Sequence, residues 1–171
     1  MQTKQATLRS FETTFTSLLQ ILSAFNQEQL NTVPFEGSWT AGQLGRHLQK
    51  GAITDTLTGP SKPTMRQPDE KMPIIESIFL DFNTKMQSPD FVRPEDMVYD
   101  RDRLIHELSQ IVARTEAAIQ VQDLTLTYTE FDIPGIGEMT RMEWIHFGVC
   151  HAQRHIRQLK NIYEHVVGGR A

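Results

Sequence analysis

The chain has 171 residues, of which 39% are hydrophobic and 22% are charged, a composition typical of a globular protein. This length predicts a single domain over residues 1–171 that can bury a core of its own. The formal net charge of −4 argues against nucleic-acid binding, because proteins that bind nucleic acids carry a concentrated basic face.

The first two predicted helices follow from hydrophobic periodicity and a capping signal. Residues 4–25 repeat apolar side chains at steps of three and four, which predicts an amphipathic helix that stops at Asn26. Thr40 followed by Gln43 is a capping-box pattern, and it predicts a second helix that ends near residues 59–60. Glycines inside this helix cost about 1 kcal/mol each relative to alanine, so we expect a ligand or a neighbouring backbone to come close. These glycines are Gly42, Gly45 and Gly51.

The middle of the chain alternates between proline-containing loops and helical patterns. Residues 60–73 contain four prolines and predict a long loop, a candidate lid or flap. Residues 74–86 are apolar enough for a short helix, and residues 87–99 are again predicted as loop. Asp100 is the expected cap of a third long helix, whose apolar positions continue to Ile119.

The last third of the chain begins with residues 124–131, where alternating apolar and polar residues predict an extended segment. Thr140 with Glu143 repeats the capping box and opens a predicted helix over residues 141–167. Gly168–Gly169 is the expected end of that helix. Four long helices with long irregular connections predict an all-α fold, a helical bundle.

Cysteine usage and apolar content bear on the expected compartment. Cys150 is the only cysteine, so no intramolecular disulfide can form and oxidising export is not implied. The N-terminus lacks the apolar stretch of a signal peptide, and no apolar run reaches the length of a membrane span. We therefore expect a cytoplasmic protein that binds neither membrane nor nucleic acid.

Two histidines in the last predicted helix are the strongest functional signal. His151 and His155 project from one helix face a turn apart, so both can reach a single metal ion. If the second helix packs beside them, His47 adds a third imidazole and leaves a coordination position open. Imidazole suits zinc, nickel, copper and iron alike. Ala152 stands where zinc proteases of the His-Glu-x-x-His type carry their general base, which disfavours a protease.

The other histidines and the cysteine are interpreted as structural or solvated. His146 points about 140° away from His151 on the helical wheel and is not a predicted ligand. His106 lies on a charged face, and His165 in the last turn complements the helix dipole. Cys150 is interpreted as a small core residue rather than a nucleophile. A His-x-x-x-His pair also arises by chance, so histidines that only pack in the core remain an alternative.

Two tryptophans and two carboxylates lie near the predicted ligands in sequence. Trp39 and Trp144 each stand near the start of a ligand-bearing helix, where packing is the expected role. Glu130 and Asp132 precede a Pro-Gly turn, and we interpret them as loop carboxylates in preference to partners of the ligands.

Three segments together resemble the DinB-like superfamily, which includes the YfiT-type proteins regarded as metal-dependent hydrolases. The segments are residues 39–48, 137–144 and 151–159. The resemblance implies an up-down-down-up four-helix bundle that forms homodimers, with His47, His151 and His155 binding a divalent metal, usually zinc or nickel. It also implies low-molecular-weight thiols as partners, because some relatives transfer them. Gln43 stands where relatives often carry glutamate, and an amide cannot act as a base, which weakens a hydrolytic interpretation.

Three functions are therefore compared. The leading hypothesis is a metal-dependent enzyme that transfers a low-molecular-weight thiol to a small electrophile. The second is a metal-dependent hydrolase of small esters or amides. The third is a bundle without catalytic activity that binds a metal or small ligand in a stress response. The sequence names no substrate, although loops 60–73 and 87–99 are expected to contribute to the pocket walls.

Overall fold

The computed structural model describes residues 3–168 and is mostly helical, so the prediction of an all-α fold is confirmed. The helices are α1 (Lys4–Ser23), α2 (Gln27–Leu30), α3 (Ala41–Lys50), α4 (Thr54–Thr58), α5 (Met72–Phe79), α6 (Arg101–Val121) and α7 (Arg141–Val166). A 3-10 turn spans Asp90–Val92, and the strands β1 (Ser61–Lys62) and β2 (Thr127–Tyr128) form an antiparallel pair. Helix α1 packs on α6 and α7, and α3 packs on the same two helices. The up-down-down-up order of helix directions stays a prediction.

Polar side chains at the helix starts fix where the principal helices begin. Thr40 Oγ1 accepts a hydrogen bond from the Gln43 backbone N–H at 3.0 Å, and Gln43 Oε1 accepts one from the Thr40 N–H at 2.9 Å. Thr140 and Glu143 form the same reciprocal pair at the start of α7. Both predicted capping boxes are therefore confirmed, and Asp100 caps α6 as expected.

The predicted second helix is wrong in its length, because it breaks at Gly51. The Gly51 N–H still donates to the His47 carbonyl, but the chain then turns and restarts as α4 at Thr54. Glycine is a poor helix former, and the turn lets Ile53 enter the core. Gly42 and Gly45 lie where neighbouring groups come close, against Tyr99 and Leu104 respectively.

The short middle helix also differs from its predicted range of 74–86, since α5 begins at Met72 and ends at Phe79. Pro73 occupies its first turn, where a missing N–H costs nothing. Beyond the helix, Asp81 accepts hydrogen bonds from the Asn83 N–H at 3.0 Å and the Thr84 hydroxyl at 2.5 Å. Such local bonds compete with a helix and favour a turn.

The extended segment predicted over 124–131 contains only the two residues of β2. Its partner, β1, lies in the predicted loop 60–73, with Ser61 opposite Tyr128 and Lys62 opposite Thr127. The short helix α2 was not predicted, although Asn26 and Gln29 form a capping box at its start. Within residues 3–168, no helix combines the length and apolar character needed to cross a lipid bilayer.

The buried side chains form two clusters, and α7 contributes to both. Residues of α7 from Met142 to Cys150 belong to the first cluster, together with Phe11 of α1. Residues from Leu159 onwards belong to the second, with Leu44 and Leu48 of α3. The stretch of α7 between them, where His151 and His155 lie, therefore stands at the junction of the two clusters.

Candidate metal centre

The structure brings the three predicted histidines together. His47 comes from α3, and His151 and His155 come from α7. Nε2 of His151 lies 3.3 Å from Nε2 of His47 and 2.9 Å from Nε2 of His155. One ligand nitrogen from each of the three residues lies within 4.8 Å of the others, so the cluster can hold a metal ion.

Two of the rings are oriented by hydrogen bonds on their far side. His47 Nδ1–H donates to the Val92 carbonyl at 2.9 Å, and His155 Nδ1–H donates to Gln158 Oε1 at 3.0 Å. Because a carbonyl oxygen only accepts, each of these Nδ1 atoms carries the proton of the neutral ring. Their Nε2 lone pairs therefore face the cluster, as in metal sites whose histidines donate their other N–H to an oxygen.

The electrostatics keep all three imidazoles neutral. Burial lowers the pKa of His47, opposed by its bond to Val92, and nearby Lys50 lowers this pKa further. Burial also lowers the pKa of His151 well below its usual value, with the other two histidines and Arg154 adding to the effect. For His155 burial is again the largest cause, and it lowers the pKa to about 3. Neutral imidazole is the form that coordinates metals.

The convergence fits a divalent cation better than a closed set of hydrogen bonds. Nε2 of His151 carries at most one proton, so it can donate to only one of the two lone pairs that face it. Two nitrogens bound to one tetrahedral zinc ion at 2.0–2.1 Å lie about 3.3 Å apart, which equals the distance between Nε2 of His47 and of His151, while the 2.9 Å between Nε2 of His151 and of His155 is shorter. Three neutral nitrogen donors suit zinc and nickel, and geometry alone does not choose between them.

The segment that supplies the Val92 carbonyl is held against α3 by charged groups. Glu95 accepts hydrogen bonds from Arg46 Nε and from Lys50 Nζ, both at 3.1 Å. These contacts lower the pKa of Glu95 to about 2, the bond to Arg46 being the largest cause. Lys50 Nζ also donates to the Arg93 carbonyl at 2.5 Å. The predicted loop 87–99 thus contributes a backbone oxygen that orients a ligand.

Aromatic rings surround the cluster, and little free space lies on its inner side. Trp39 lies 5.2 Å from the ring of His47, and Phe147 stacks on His151 at 5.4 Å with an interplanar angle of 11°. Phe79 approaches His151 edge-on at 6.1 Å. On the side that faces α1 and α6, His151 borders a cavity of about 20 Å³ with a mostly apolar lining. Such a cavity has room for about one water molecule.

The other residues singled out in the sequence lie outside the cluster. His146 Nε2 pairs with Glu76 Oε1 of α5 at 3.0 Å. His106 and His165 are exposed, and Cys150 is buried in the core as predicted. Gln43 serves the cap of α3. Glu130 and Asp132 lie in an exposed loop.

Sequence reasoning did not assign the oxygens that orient His47 and His155. Gln158 has a readable signal, because it stands three residues after His155 on the same helix face. The Val92 carbonyl has none, since a backbone oxygen is common to every residue.

Comparison with known proteins places the chain in a family. The family model described as the DinB superfamily matches residues 10–159, which include all three histidines. The chain belongs to the DinB superfamily. It is also 26% identical over 151 residues to the uncharacterized protein YuaE of Bacillus subtilis (strain 168), an alignment that covers 85% of this chain and 90% of that relative. No solved structure matches the chain.

Proposed function

We propose that this DinB-superfamily chain is a metal-dependent transferase that moves a low-molecular-weight thiol onto a small electrophile. His47, His151 and His155 would hold the divalent ion, zinc or nickel. The observation that carries the proposal is the convergence of three neutral imidazole nitrogens on one point. A bound divalent ion supplies the positive charge that favours a thiolate over its thiol.

The charges of the residues around the site favour an anionic sulfur as the group that joins the metal. Because the three histidines are neutral, they would leave the positive charge of a bound divalent ion uncompensated. An anionic sulfur is therefore the additional ligand that the site favours. Arg154 adds positive charge near His151, while its guanidinium bonds to carbonyls of Phe79, Asp81 and Thr84. In the reaction a sulfur–carbon bond forms, the leaving group departs with its electron pair, and the thiol proton passes to solvent.

The absence of a carboxylate from the cluster favours thiol transfer over hydrolysis. Among the residues that the structure describes, the metal-binding group contains histidines alone. The nearest capping carboxylate on α7, Glu143, is engaged by Arg66 and by the backbone N–H groups of Lys71 and Thr140. A bound cation lowers the pKa of a thiol and of a water molecule alike, but a thiol is already the stronger acid, and hydrolysis would have no carboxylate in the cluster to accept the proton of the water.

The first test is metal content, measured by elemental analysis on protein purified without a polyhistidine tag. We expect about one divalent ion per chain in the wild type and none in His47→Ala or His155→Ala. His106→Ala is the matched control, because His106 is an exposed histidine on α6. No metal in the wild type after incubation with zinc or nickel would refute the proposal.

The second test is thiol consumption by the metal-loaded protein, with a panel of cellular thiols and small electrophiles. Thiol-dependent loss of the electrophile, absent in His151→Ala, is the expected result. Turnover of activated esters without thiol would favour the hydrolase instead. Stoichiometric metal with neither activity would favour the metal-binding bundle without catalysis. We also propose a homodimer, for which light scattering should give about twice the chain mass of 19.6 kDa.

A further inference from the structure

A row of aromatic side chains leads from the metal centre to the protein surface. Phe147, stacked on His151, meets Trp144 at 5.5 Å with perpendicular ring planes. Trp144 meets Phe131 at 6.0 Å, and Phe131 meets Phe91 at 5.8 Å. These four residues, Phe147, Trp144, Phe131 and Phe91, are called the aromatic row. They come from α7, from the segment after β2 and from the 3-10 turn.

The aromatic row passes from a half-buried ring, Phe147, through buried Trp144 to two exposed rings. Trp144 is 3% exposed, whereas Phe131 is 45% and Phe91 is 62% exposed. Phe131 and Phe91 adjoin each other and are both exposed, so they form an apolar patch at the surface. Exposed apolar patches beside functional sites are places where ligands bind. The outer end of the row therefore has the character of a binding surface.

The Trp144 indole adds a polar feature that the fold does not use. Its Nε1 is buried and has no hydrogen-bond partner, one of only two such side-chain atoms in the described part of the chain. The other, Arg141 Nε, belongs to a guanidinium whose remaining nitrogens donate to the Asp123 and Gly59 carbonyls. A buried indole N–H normally finds an acceptor, so Trp144 carries an unsatisfied donor.

Access to His151 from the bundle interior is closed to anything larger than a water molecule, since the cavity on that side holds about 20 Å³. The aromatic row lies outside that cavity, whose lining includes none of its four members. The row meets the metal centre at Phe147, the half-buried ring stacked on His151.

We propose that the aromatic row binds the electrophile of the transfer reaction, and that this substrate is a flat, unsaturated molecule with an acceptor oxygen. Its ring stacks on Phe131, whose plane is tilted by 35° from the Trp144 indole, and its oxygen accepts the hydrogen bond from Trp144 Nε1–H. Because Trp144 Nε1 is buried, binding requires a neighbouring ring to move aside, and Phe131 is assigned that role because it lies on the irregular segment between β2 and α7. This inference rests on the proposed thiol transfer for its substrate class, and it adds the residues that select the substrate.

The test uses two probes that cannot react, acetophenone and α-methylstyrene, which differ only in an oxygen replaced by a methylene group. Binding to the metal-loaded full chain is followed by nuclear magnetic resonance of the two indole N–H groups, since the chain has two tryptophans. Acetophenone should move the Trp144 indole proton downfield and bind about five- to tenfold more tightly than α-methylstyrene. In Trp144→Phe the ratio of the two affinities should fall to about one.

Matched variants separate the hydrogen bond from the stacking. Trp39→Phe removes the other indole N–H and should leave the affinity ratio unchanged. Phe131→Ala should weaken both probes by a similar factor, because it removes ring contact and no donor. Failure of both probes to bind, or an equal ratio in wild type and Trp144→Phe, would overturn the inference. So would an unmoved Trp144 signal in the wild type, a readout that needs no variant to fold.

The outcomes also distinguish this inference from the proposed function. Probe binding needs no thiol and no turnover, so the aromatic row can fail while thiol transfer is measured with other electrophiles. Conversely, selective binding of acetophenone by a protein that consumes no thiol would retain the aromatic row and refute the transferase.

Discussion

Helix α7 carries two buried polar clusters, one around Glu143 in its first turn and one at His151 and His155 about two turns later. Glu143 is fully buried, and Arg66 donates to both of its oxygens at 2.6 Å. The Lys71 and Thr140 N–H groups complete its coordination at 2.7 and 2.9 Å. Donors and acceptors balance in this cluster, so it is complete without a ligand.

The histidine cluster differs because its acceptors exceed its donors. The Nε2 lone pairs of His47 and His155 both face His151, and no carboxylate or backbone donor is bonded at that point among the described residues. Both clusters are made of polar groups in the protein interior, so burial of polar groups alone does not mark a functional site. A balanced cluster holds the fold, here by fastening the loop 60–73 to α7, whereas an unbalanced one can hold a cation.

The largest expected effect lies in the balanced cluster. Glu143→Ala leaves Arg66 and two backbone donors without their acceptor, so we expect the free energy of unfolding to fall by about 3–5 kcal/mol. Urea denaturation of the metal-free protein at pH 7 measures it. Glu138→Ala is the control, because the exposed pair of Glu138 with Lys62 contributes at most about 1 kcal/mol. Equal effects of the two substitutions would contradict the account of Glu143 as a buried carboxylate on which the fold depends.

Metal addition should act on the histidine cluster alone. At a free metal concentration of about 100 times Kd, binding to the folded state stabilises it by about 2.7 kcal/mol. Zinc or nickel should therefore raise the unfolding midpoint of the wild type and of His106→Ala, and should leave that of His155→Ala unchanged. A similar rise in His155→Ala would place the metal elsewhere.

Acid should weaken the metal-free protein through its buried histidines. The pKa of His155 is about 3 in the folded chain against about 6.5 when unfolded, so the unfolded state takes up the proton first. Stability is then retained above pH 6.5 and falls as the pH drops towards 3, by about 2 kcal/mol at pH 5 for one such group. Urea denaturation at pH 7 and pH 5 should show a smaller loss in His155→Leu than in wild type, and an equal loss in both would contradict this account.

The smallest effect concerns the groups that orient the ligands. Gln158→Ala removes the acceptor of His155 Nδ1–H, so we expect metal affinity to fall about tenfold with little change in metal-free stability. Competition with a chromogenic chelator measures the affinity. Gln153→Ala, an exposed position on the same helix, should leave it unchanged. If the two variants bind metal alike, Gln158 does not orient the ligand.

Much of this architecture was readable from local signals. The capping boxes at Thr40 and Thr140 depend on residues three apart, and apolar periodicity defines the long helices. Helix starts and long helices can therefore be predicted without tertiary information. The breaks were harder to predict, because Gly51 ends α3 where burial of Ile53 requires a turn. The pairing of β1 with β2 joins residues more than sixty positions apart, a contact that no local pattern encodes.

The spacing of His151 and His155 already places both imidazoles on one helix face, and the sequence offered His47 as a third ligand only if its helix packed beside them. Only the tertiary structure decided that His47 reaches them, that Val92 and Gln158 turn the lone pairs inward, and that Trp144 keeps an unused donor. The physical reason is the range of the interactions. Helix geometry repeats every few residues, whereas the convergence of α3 and α7 depends on how α3 packs against α6 and how α7 packs against α1.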